Sequence, residues 1–483
     1  MPSTARLGPK VRALRRKERL TQAGLARKLG ISSSYLNLIE HDRRALTAPL
    51  LLKLAQLFRL DLDAFSGDDE ARLSADLQEA FGDPLFEEHD LLASDVREIA
   101  GNVPAARAVL ALYRAYQSAR DATRALAERM EEGVEVTGLD PLHLPSEEVS
   151  DVIQQNRNHF PRLEEAAGAL ARDAKLDPAD LYPGLVRYSK EALGVDVAIQ
   201  TVESDPTAVR RYDAAGRRLF LSEVLPPRSR NFQLAHQIGL LSLQSDFDDI
   251  LQGAHLTTPD SVTLCKVALA NYFAGAVLMP YERFRESADA VRYDIELLGH
   301  RFRTSFEQVC HRLTTLQRPG DEGVPFHLVR VDIAGNISKR FSASGIRFAR
   351  FSGSCPRWNV HKAFLTPQTV RTQVSQMPDG TRYFSISRTI RKSRAGYGSP
   401  HTLLAIELGC DIRHARRLVY ADGVDLDSPE ATVPIGVTCR LCERLECGQR
   451  AFPSIQHRLS LDENVRSVSF YAPVLPAAGE RPR

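Results

Sequence analysis

The chain has 483 residues, of which 43% are hydrophobic and 26% are charged, and its formal net charge is only +2. These values are typical of an ordinary soluble globular protein with about three domains. No run of about 18 apolar residues predicts a membrane span, and no apolar segment follows the basic N-terminus as it would in a secretory signal. We therefore expect a cytoplasmic protein rather than an exported or membrane-spanning one.

Positive charge is concentrated at the N-terminus, where residues 1–66 contain 13 Lys and Arg residues against 5 acidic residues, a local excess of +8. Such an excess is the electrostatic pattern needed for contacts with nucleic-acid phosphates. Apolar spacing predicts four helices here. The first spans residues 8–18, the second runs from N-cap Thr21 to Gly30, the third is capped by Ser33, and the fourth follows. Two helices joined by a tight Gly-containing turn form a helix-turn-helix unit.

The stretch LTQAGLARKLGISSSYLNLIEHDRRALTAPLLLKLAQLF (residues 20–58) resembles the phage-repressor-like, Xre-type helix-turn-helix family. The resemblance implies that the third helix enters the major groove of DNA. The candidate DNA-binding residues are Gln22, Ser32, Ser33, Ser34, Tyr35, Asn37, Arg43 and Arg44. Short hydroxyl side chains give a poor base code by themselves. A helical interaction module that touches no nucleic acid is the alternative.

Residues 105–132 are rich in Ala and Arg, with Leu and Tyr at helical spacing, and they predict one long helix. Because two helix-turn-helix modules normally act together, this helix is a candidate for pairing protomers in a dimer. Packing on its own domain is the alternative. Residues 131–149 contain the Pro and Gly residues expected of a linker.

The segment NFQLAHQIGLLS (residues 231–242) matches only part of a zinc peptidase helix, which needs H-E-x-x-H to hold the metal and activate water. His236 stands at the first His position, but Gln237 replaces the Glu and Leu240 replaces the second His. The following CKVALANYFAGAVLMPYERF (residues 265–284) resembles the IrrE/ImmA-like metallopeptidase family. That family's further acidic ligand is missing as well. We expect a peptidase-like fold without enzymatic activity, in which His236 is a buried, hydrogen-bonded core residue.

The C-terminal part combines strand-like segments within residues 325–400 with helical pieces, and the turn at Asp379-Gly380 supports a hairpin. It therefore predicts an α+β domain. Five of the seven cysteines lie here, namely Cys355, Cys410, Cys439, Cys442 and Cys447.

The C-x-x-C pair with Cys447 after it favours an all-sulfur metal site. Cys410, Cys439, Cys442 and Cys447 are the candidate ligands, and Cys355 is the alternative to Cys410. Structural zinc and a 4Fe–4S cluster are both compatible with this spacing. A dithiol switch or a chance grouping of cysteines are the other possibilities.

The whole chain resembles the short-chain fatty acyl-CoA responsive regulators. This resemblance rests on the domain order and on GSCPRWNVHKAF (353–364), LGCDIRHARRLVYADG (408–423) and PIGVTCRLCERLECGQRAFP (434–453). It implies a transcription factor that binds promoters of acyl-CoA metabolism genes, senses an acyl-CoA such as propionyl- or acetyl-CoA, and carries an iron–sulfur cluster on its C-terminal cysteines. The candidate residues for the CoA phosphates are Lys339, Arg340, Arg347 and Arg350. A solvated basic face is the alternative.

We therefore predict a multidomain fold in which an all-α helix-turn-helix domain is followed by a helical linker and by α+β sensor domains that include a degenerate metallopeptidase-like segment. The expected boundaries are 1–66 for the DNA-binding domain, 67–149 for the helical linker or dimerisation region, 150–320 for the IrrE-like domain and 321–483 for the cysteine-containing domain. The predicted function is acyl-CoA-responsive transcription regulation as a homodimer or larger oligomer. An iron–sulfur redox or metal sensor is the alternative, and a zinc peptidase is the least favoured.

Overall fold

The computed structural model describes residues 11–12, 15, 20–40, 43–44, 47–58, 68–86, 89, 91, 93–131, 145–202, 208–254, 256–349, 353–393, 401–454, 466, 469 and 471. The chain divides into two compact units, Met1–Leu142 and His143–Arg483. Each unit is described by itself. The predicted first helix at residues 8–18 and the predicted linker at 131–149 lie largely outside the described residues.

The N-terminal unit is helical. Its helices are α1 (Gln22–Leu29), α2 (Ser33–Glu40), α3 (Ala48–Phe58), α4 (Asp68–Phe81), α5 (Ala93–Gly101) and α6 (Val103–Glu131). Leu25, Leu36 and Leu54 are fully buried and join these first helices in one small core. The helix-turn-helix pair and the long helix α6 therefore confirm the predicted elements.

The turn between α1 and α2 explains how this pair is formed. The Thr21 hydroxyl accepts from the Gly24 N–H at 3.0 Å, and Gly30 ends α1 with a φ of 73°, which a residue without Cβ adopts easily. The prediction that Ser33 caps the next helix is wrong. Ser33 is the first helical residue, so the preceding Ser32 is the one whose hydroxyl accepts from the Tyr35 N–H at 3.1 Å.

The second unit begins with helices packed on a small sheet. The helices are α7 (Pro145–Gln155), α8 (Pro161–Asp173), α9 (Leu181–Glu191), α10 (Pro227–Ser242), α11 (Gln244–Leu251), α12 (Pro259–Leu278), α13 (Tyr281–Ala290), α14 (Ile295–Phe302) and α15 (Phe306–Leu313). The sheet has the order β1-β3-β2, with β1 (Asp196–Gln200), β2 (Arg210–Asp213) and β3 (Arg218–Ser222). Gly239 on α10 lets α12 approach closely, because a Cβ there would lie 2.7 Å from the Phe273 ring.

Helix α12 is the one helix of the described residues whose length and apolar composition would suffice to cross a membrane. Its buried side chains include Leu269, Phe273 and Val277, which pack inside the second unit. The apolar character of α12 is accounted for by this core position.

A buried ion pair ties α8 to α15. The Glu164 carboxylate accepts from Arg312 at 2.6 and 2.9 Å and from the Tyr272 hydroxyl at 2.6 Å. Burial alone would raise the pKa of Glu164, but Arg312 and Tyr272 bring it below its usual value. Arg312 also donates to the Met279 carbonyl at 2.8 Å, so the charged groups are hydrogen-bonded throughout.

The C-terminal part is built on a six-stranded sheet with the order β5-β4-β8-β7-β6-β9. Its strands are β4 (His327–Asp332), β5 (Ile337–Ser342), β6 (Arg371–Gln376), β7 (Arg382–Ser393), β8 (His401–Asp411) and β9 (Thr432–Pro434). Neighbours are antiparallel except for β6 and β9. The predicted turn lies between β6 and β7, with Gly380 at φ 88°. The α+β prediction is thereby confirmed.

This sheet is buried on both faces, and alternation along each strand decides which side chain belongs to which face. Phe384 and Leu408 point into the large core formed with the preceding helices. Tyr383 and Ala405 point to the other face, where Trp358 and the short helix α16 (Asn359–Lys362) cover the sheet.

Candidate nucleic-acid interface, degenerate peptidase centre and cysteine cluster

Helix α2 presents polar side chains to solvent. Ser33, Ser34 and Asn37 are exposed, as are Arg43 and Arg44 just beyond the helix. Ser32 is exposed but uses its hydroxyl as the helix cap, and Gln22 and Tyr35 are half-buried. The structure therefore gathers the predicted DNA-binding residues on α2, the start of α1 and the segment after α2.

A hydrogen-bonded network beneath this surface fixes α1 against α2. Glu40 is only 2% exposed and accepts from Arg15 Nε at 2.6 Å and from Arg15 Nη2 at 3.0 Å. Gln22 Nε2 donates both to Glu40 at 3.1 Å and to Asn37 Oδ1 at 3.2 Å. The hydrogen bonds that Arg15 donates to Glu40 raise the pKa of Arg15.

Sequence reasoning missed Arg15 and Glu40 as positioning residues. The one signal was an acidic residue on an otherwise apolar stripe of the third helix. Their ion pair orients the Gln22 and Asn37 amides before any DNA arrives. Beside them the Arg44 guanidinium lies 5.1 Å from the centre of the Tyr35 ring, a cation–π distance that keeps this cation on the same surface.

His236 lies on α10 and is 3% exposed. An Arg210 guanidinium N–H from β2 donates to its Nδ1, and a backbone hydrogen bond to Val267 engages the ring as well. Burial and the Arg210 charge lower the pKa of His236 to about 4, so the imidazole is neutral at ordinary pH. The expectation of a buried, hydrogen-bonded core histidine is confirmed.

The neighbouring positions lack the residues that a zinc peptidase helix needs. Gln237 is buried, and Leu240 packs in an apolar cluster with Phe160 and Phe247. The guanidinium of Arg210 brings a fixed positive charge to the imidazole, which opposes a divalent cation at that place. Among the residues that the structure describes, no three His, Cys, Asp or Glu side chains converge on a metal position.

Cys410 and Cys355 lie on opposite faces of the large sheet. Cys410 on β8 is fully buried in the core shared with Phe384, and burial raises its pKa to about 12. Cys355 belongs to the cluster on the other face, with Trp358 and Tyr383. Because Phe384 and Tyr383 are adjacent on β7, the sheet itself separates the two thiols.

Cys355 is the thiol that the structure brings to the C-x-x-C pair. Burial raises the pKa of Cys355, and the neighbouring Cys439 and Cys442 raise it further. Its backbone N–H donates to the Val437 carbonyl at 3.0 Å. Cys439 and Cys447 are half-exposed and Cys442 is buried. Cys410 is the predicted fourth ligand and Cys355 its alternative, and Cys355 lies in the same cluster as Ile435, just before the C-x-x-C pair, whereas Cys410 lies in the other core.

Arg450 organises the loop that carries these cysteines. Its guanidinium is buried and donates to the carbonyls of Cys439, Cys442 and Arg444, each at 2.8 Å. Gly436 leaves room for the Cys442 thiol, because a Cβ there would lie 3.0 Å from Sγ. The Arg450 guanidinium therefore helps to hold the loop.

The basic residues predicted for the CoA phosphates have different surroundings where the structure describes them. Lys339 is exposed on the edge strand β5, and the adjacent Arg340 is paired with Glu147 and donates to the Ala349 carbonyl at 3.3 Å. Arg347 is exposed in the following segment. Arg350 lies outside the described residues. Lys339 and Arg340 are neighbours on a strand, so they point to opposite sides.

A cavity of about 310 Å³ lies instead among the helices of the second unit. It is lined by five arginines, Arg228, Arg230, Arg283, Arg301 and Arg303. Sequence reasoning missed it because these residues come from α10, α13 and the C-terminal end of α14 and carry no local motif.

Three family models match consecutive parts of the chain. A helix-turn-helix model covers residues 11–65, an IrrE N-terminal-like domain covers 190–314, and the C-terminal domain of the short-chain fatty acyl coenzyme A regulators covers 315–471. Together they follow the domain order that the sequence predicts.

Curated relatives match over almost their entire length. The chain is 40% identical to the HTH-type transcriptional regulator PrpR of Mycobacterium tuberculosis, over 95% of this chain and 94% of that protein. It is 40% identical to RamB of the same species, over 96% and 98% respectively. It is also 40% identical to the propionyl-CoA carboxylase regulator of Cereibacter sphaeroides, again over 96% and 98%.

A solved structure of a Mycobacterium tuberculosis transcriptional regulator aligns with a TM-score of 0.65 at 42% identity, covering 68% of this chain and 100% of that one. The degenerate peptidase helix and the C-terminal cysteine motifs thus occur in a chain that matches named regulators from end to end. The protein belongs to the short-chain fatty acyl-CoA regulator family of helix-turn-helix transcriptional regulators.

Proposed function

We propose that this protein is a cytoplasmic regulator that binds operator DNA through α2 and controls genes of propionate or related short-chain acyl-CoA metabolism in response to an acyl-CoA. The observation that carries the DNA-binding proposal is the exposed polar surface of α2, held in place by the Arg15–Glu40 ion pair on a strongly basic segment. The names of the relatives support the choice of genes.

The effector acts by favouring one of two arrangements of the protein, one competent to bind DNA and one not, which requires that its affinity differ between them. A homodimer or larger oligomer fits this scheme, because paired helix-turn-helix modules read two half-sites. The exposed arginines beyond α2 supply backbone contacts, and Ser33, Ser34 and Asn37 face the bases.

The IrrE-like domain serves as a sensor scaffold without peptidase activity. Gln237 cannot act as a general base and Leu240 cannot ligate a metal, while Arg210 engages the remaining His236. A peptide-cleavage assay with added Zn²⁺ tests this directly, and chelator-sensitive cleavage would refute it.

The C-terminal cysteines hold a metal centre in this proposal, with Cys355, Cys439, Cys442 and Cys447 as ligands. The donor set is all sulfur, which suits a 4Fe–4S cluster or structural zinc. The Cys355 backbone N–H donates to the Val437 carbonyl at 3.0 Å, two residues before the C-x-x-C pair, which supports its place in this set. Family resemblance favours the iron–sulfur cluster, which when bound would supply a redox-active or structural link to the DNA-binding state.

An iron–sulfur redox or metal sensor is the second candidate function, since three cysteines are grouped on a loop in which Cys439 and Cys447 are half-exposed. Anaerobic purification followed by DNA-binding titrations separates the two. Affinity that changes with propionyl-CoA supports the acyl-CoA regulator. Affinity that ignores acyl-CoA but follows oxidation supports the redox sensor.

A further inference from the structure

The hairpin formed by β7 and β8 extends beyond the rest of the large sheet. Strand β6 pairs with β7 only as far as Ser387, and β4 pairs with β8 only as far as Leu404. The two hairpin strands stay paired with each other as far as Ser393–His401. Residues 391–393 and 401–403 therefore form a two-stranded end that lies past the neighbouring strands, and we call it the ribbon end.

The ribbon end carries positive charge on both of its faces. No acidic residue occurs in the sequence between Asp379 and Glu407. Arg391 and Lys392 of the ribbon end are both exposed. Because they are adjacent on one strand, their side chains point to opposite faces.

Further cations lie beside the ribbon end on the face of Lys392. Arg330 on β4 is directly opposite Lys339 on β5, and Lys339 is exposed. Arg330 and Lys392 share a single carboxylate, that of Glu307, at 2.7 and 3.0 Å. One acid thus serves two cations. Among the residues that the structure describes, neither Arg391 nor Lys339 forms an ion pair.

The remaining acids near the ribbon end do not cancel this charge. Glu296 is paired with Arg388 of β7 at 2.6 Å, and Asp332 at the end of β4 accepts from the Asn336 backbone N–H and side-chain amide, each at 2.9 Å. An excess of two positive charges results from five cations and three acids, namely Arg330, Lys339, Arg388, Arg391 and Lys392 against Glu296, Glu307 and Asp332.

Charged residues at unpaired strands commonly prevent edge-to-edge pairing with other chains. Charges of either sign serve that purpose, so protection alone does not account for a hairpin whose charges are all positive. A two-stranded ribbon also has dimensions that the major groove of DNA admits, and Lys and Arg neutralise phosphates. Charge and shape together therefore favour duplex DNA as the partner.

We infer that the ribbon end is a second DNA-contacting surface, which binds backbone phosphates outside the bases that α2 faces. Arg391 and Lys392 make the contacts, and Arg330 and Lys339 add to the attraction. Because the DNA in question is the operator duplex bound through α2, this second contact depends on the proposed function. It gives the C-terminal part a share in DNA affinity but none in reading the base sequence.

Fluorescence anisotropy of the full-length protein with a promoter fragment of acyl-CoA metabolism genes, over a range of salt concentrations, tests this contact. Arg391→Gln with Lys392→Gln should reduce the salt-dependence slope by about 2, since each phosphate contact contributes about 1. Affinity should fall to a similar extent for a duplex of unrelated sequence. Arg391→Gln alone, which breaks no ion pair within the described residues, should reduce the slope by about 1.

Arg413→Gln with Arg416→Gln is the matched control. It removes the same charge from two exposed positions elsewhere in the C-terminal part, and it should keep the native slope. Thermal unfolding of each variant checks that it is folded.

Hydroxyl-radical footprinting shows where on the duplex the contact is made. The Arg391→Gln, Lys392→Gln variant should lose protection at the outer positions of the native footprint and keep the protection that α2 provides. The control variant should give the native footprint.

Two results would overturn the second contact, and they have different consequences. If the ribbon-end variants and the control share the native slope and footprint, the ribbon end does not bind DNA, while DNA binding through α2 stands. If the native protein binds no duplex in a salt-sensitive way, the proposed function fails together with the second contact.

Discussion

At the scale of single residues, a substitution of Arg43 tests how the N-terminal unit binds DNA. Its guanidinium is exposed beyond α2, where contacts to the phosphate backbone are expected. Arg43→Ala should weaken binding to all duplexes to a similar extent and reduce the salt-dependence slope by about 1. Fluorescence anisotropy over a range of salt concentrations measures both.

Arg97→Ala is the control for this experiment, because Arg97 is exposed on α5 in the same unit. It should leave the slope unchanged. A loss confined to one operator base after Arg43→Ala would show that Arg43 reads sequence instead of the backbone.

The cysteine ligands can be assigned by a matched pair of substitutions. Cys355→Ser is expected to remove most of any bound iron or zinc, because the Cys355 backbone is hydrogen-bonded to Val437, two residues before the C-x-x-C pair. Cys410→Ser should keep the metal, since Cys410 is on the opposite face of the sheet. The metal content of both variants is measured after anaerobic purification. Loss of metal in Cys410→Ser but not in Cys355→Ser would identify Cys410 as the fourth ligand.

His236 predicts a dependence of stability on pH. Its pKa in the folded protein is about 4, below the ordinary value of about 6.5, because it is buried beside Arg210. Between these pH values the unfolded chain therefore binds more protons than the folded protein. The free energy of unfolding falls as the pH drops through this window, and His236 contributes about 3 kcal/mol at most to that fall.

Denaturant unfolding at pH 7 and pH 5 measures this dependence. His236→Gln should show a smaller difference between the two pH values than the native protein. His401→Gln, at an exposed position at the start of β8, should retain the native difference. An unchanged difference in His236→Gln would mean that the pKa of His236 is the same in the folded and unfolded states.

At the scale of elements, the buried pair of Glu164 and Arg312 holds α8 against α15. Glu164→Gln leaves the Arg312 charge buried without its partner, which costs about 3–5 kcal/mol of unfolding free energy. Glu282→Gln is the control, because the Glu282 side chain is 68% exposed in its pair with Arg318, and such pairs contribute about 0–1 kcal/mol. Equal losses in the two variants would contradict the assigned role of Glu164.

Elements also show how far sequence reasoning reaches. Apolar spacing, Thr21 and Gly30 suffice to predict α1 and α2, because these signals are local. The choice between Cys355 and Cys410 depends on which face of a sheet each occupies. The face that each cysteine occupies is set by strand pairing between distant segments. No single stretch of sequence contains this information.

The basic residues illustrate the same limit. The sequence next to Arg340 predicts no partner for its charge. In the fold, Arg340 pairs with Glu147, almost two hundred positions earlier. The five cavity arginines are spread over residues 228–303 and are brought together only by the packing of α10, α13 and α14. Loss of the peptidase residues, in contrast, is visible directly in the sequence around His236.

At the scale of the whole molecule, the chain contains a basic helix-turn-helix unit and a second unit with the IrrE-like and acyl-CoA regulator domains. The two units have separate cores, so communication between them requires that a ligand of the second unit alter the DNA-binding state of the first. We propose that this coupling makes DNA binding responsive to an acyl-CoA.

Titration of the intact protein against a promoter fragment of acyl-CoA metabolism genes, with and without saturating propionyl-CoA, tests this claim most directly. We predict salt-sensitive binding whose affinity changes about fivefold or more when propionyl-CoA is added, the range expected of coupling between two sites. An affinity for DNA that does not depend on salt concentration would contradict the proposed mode of DNA binding. An affinity for DNA that no acyl-CoA changes would contradict the proposed coupling.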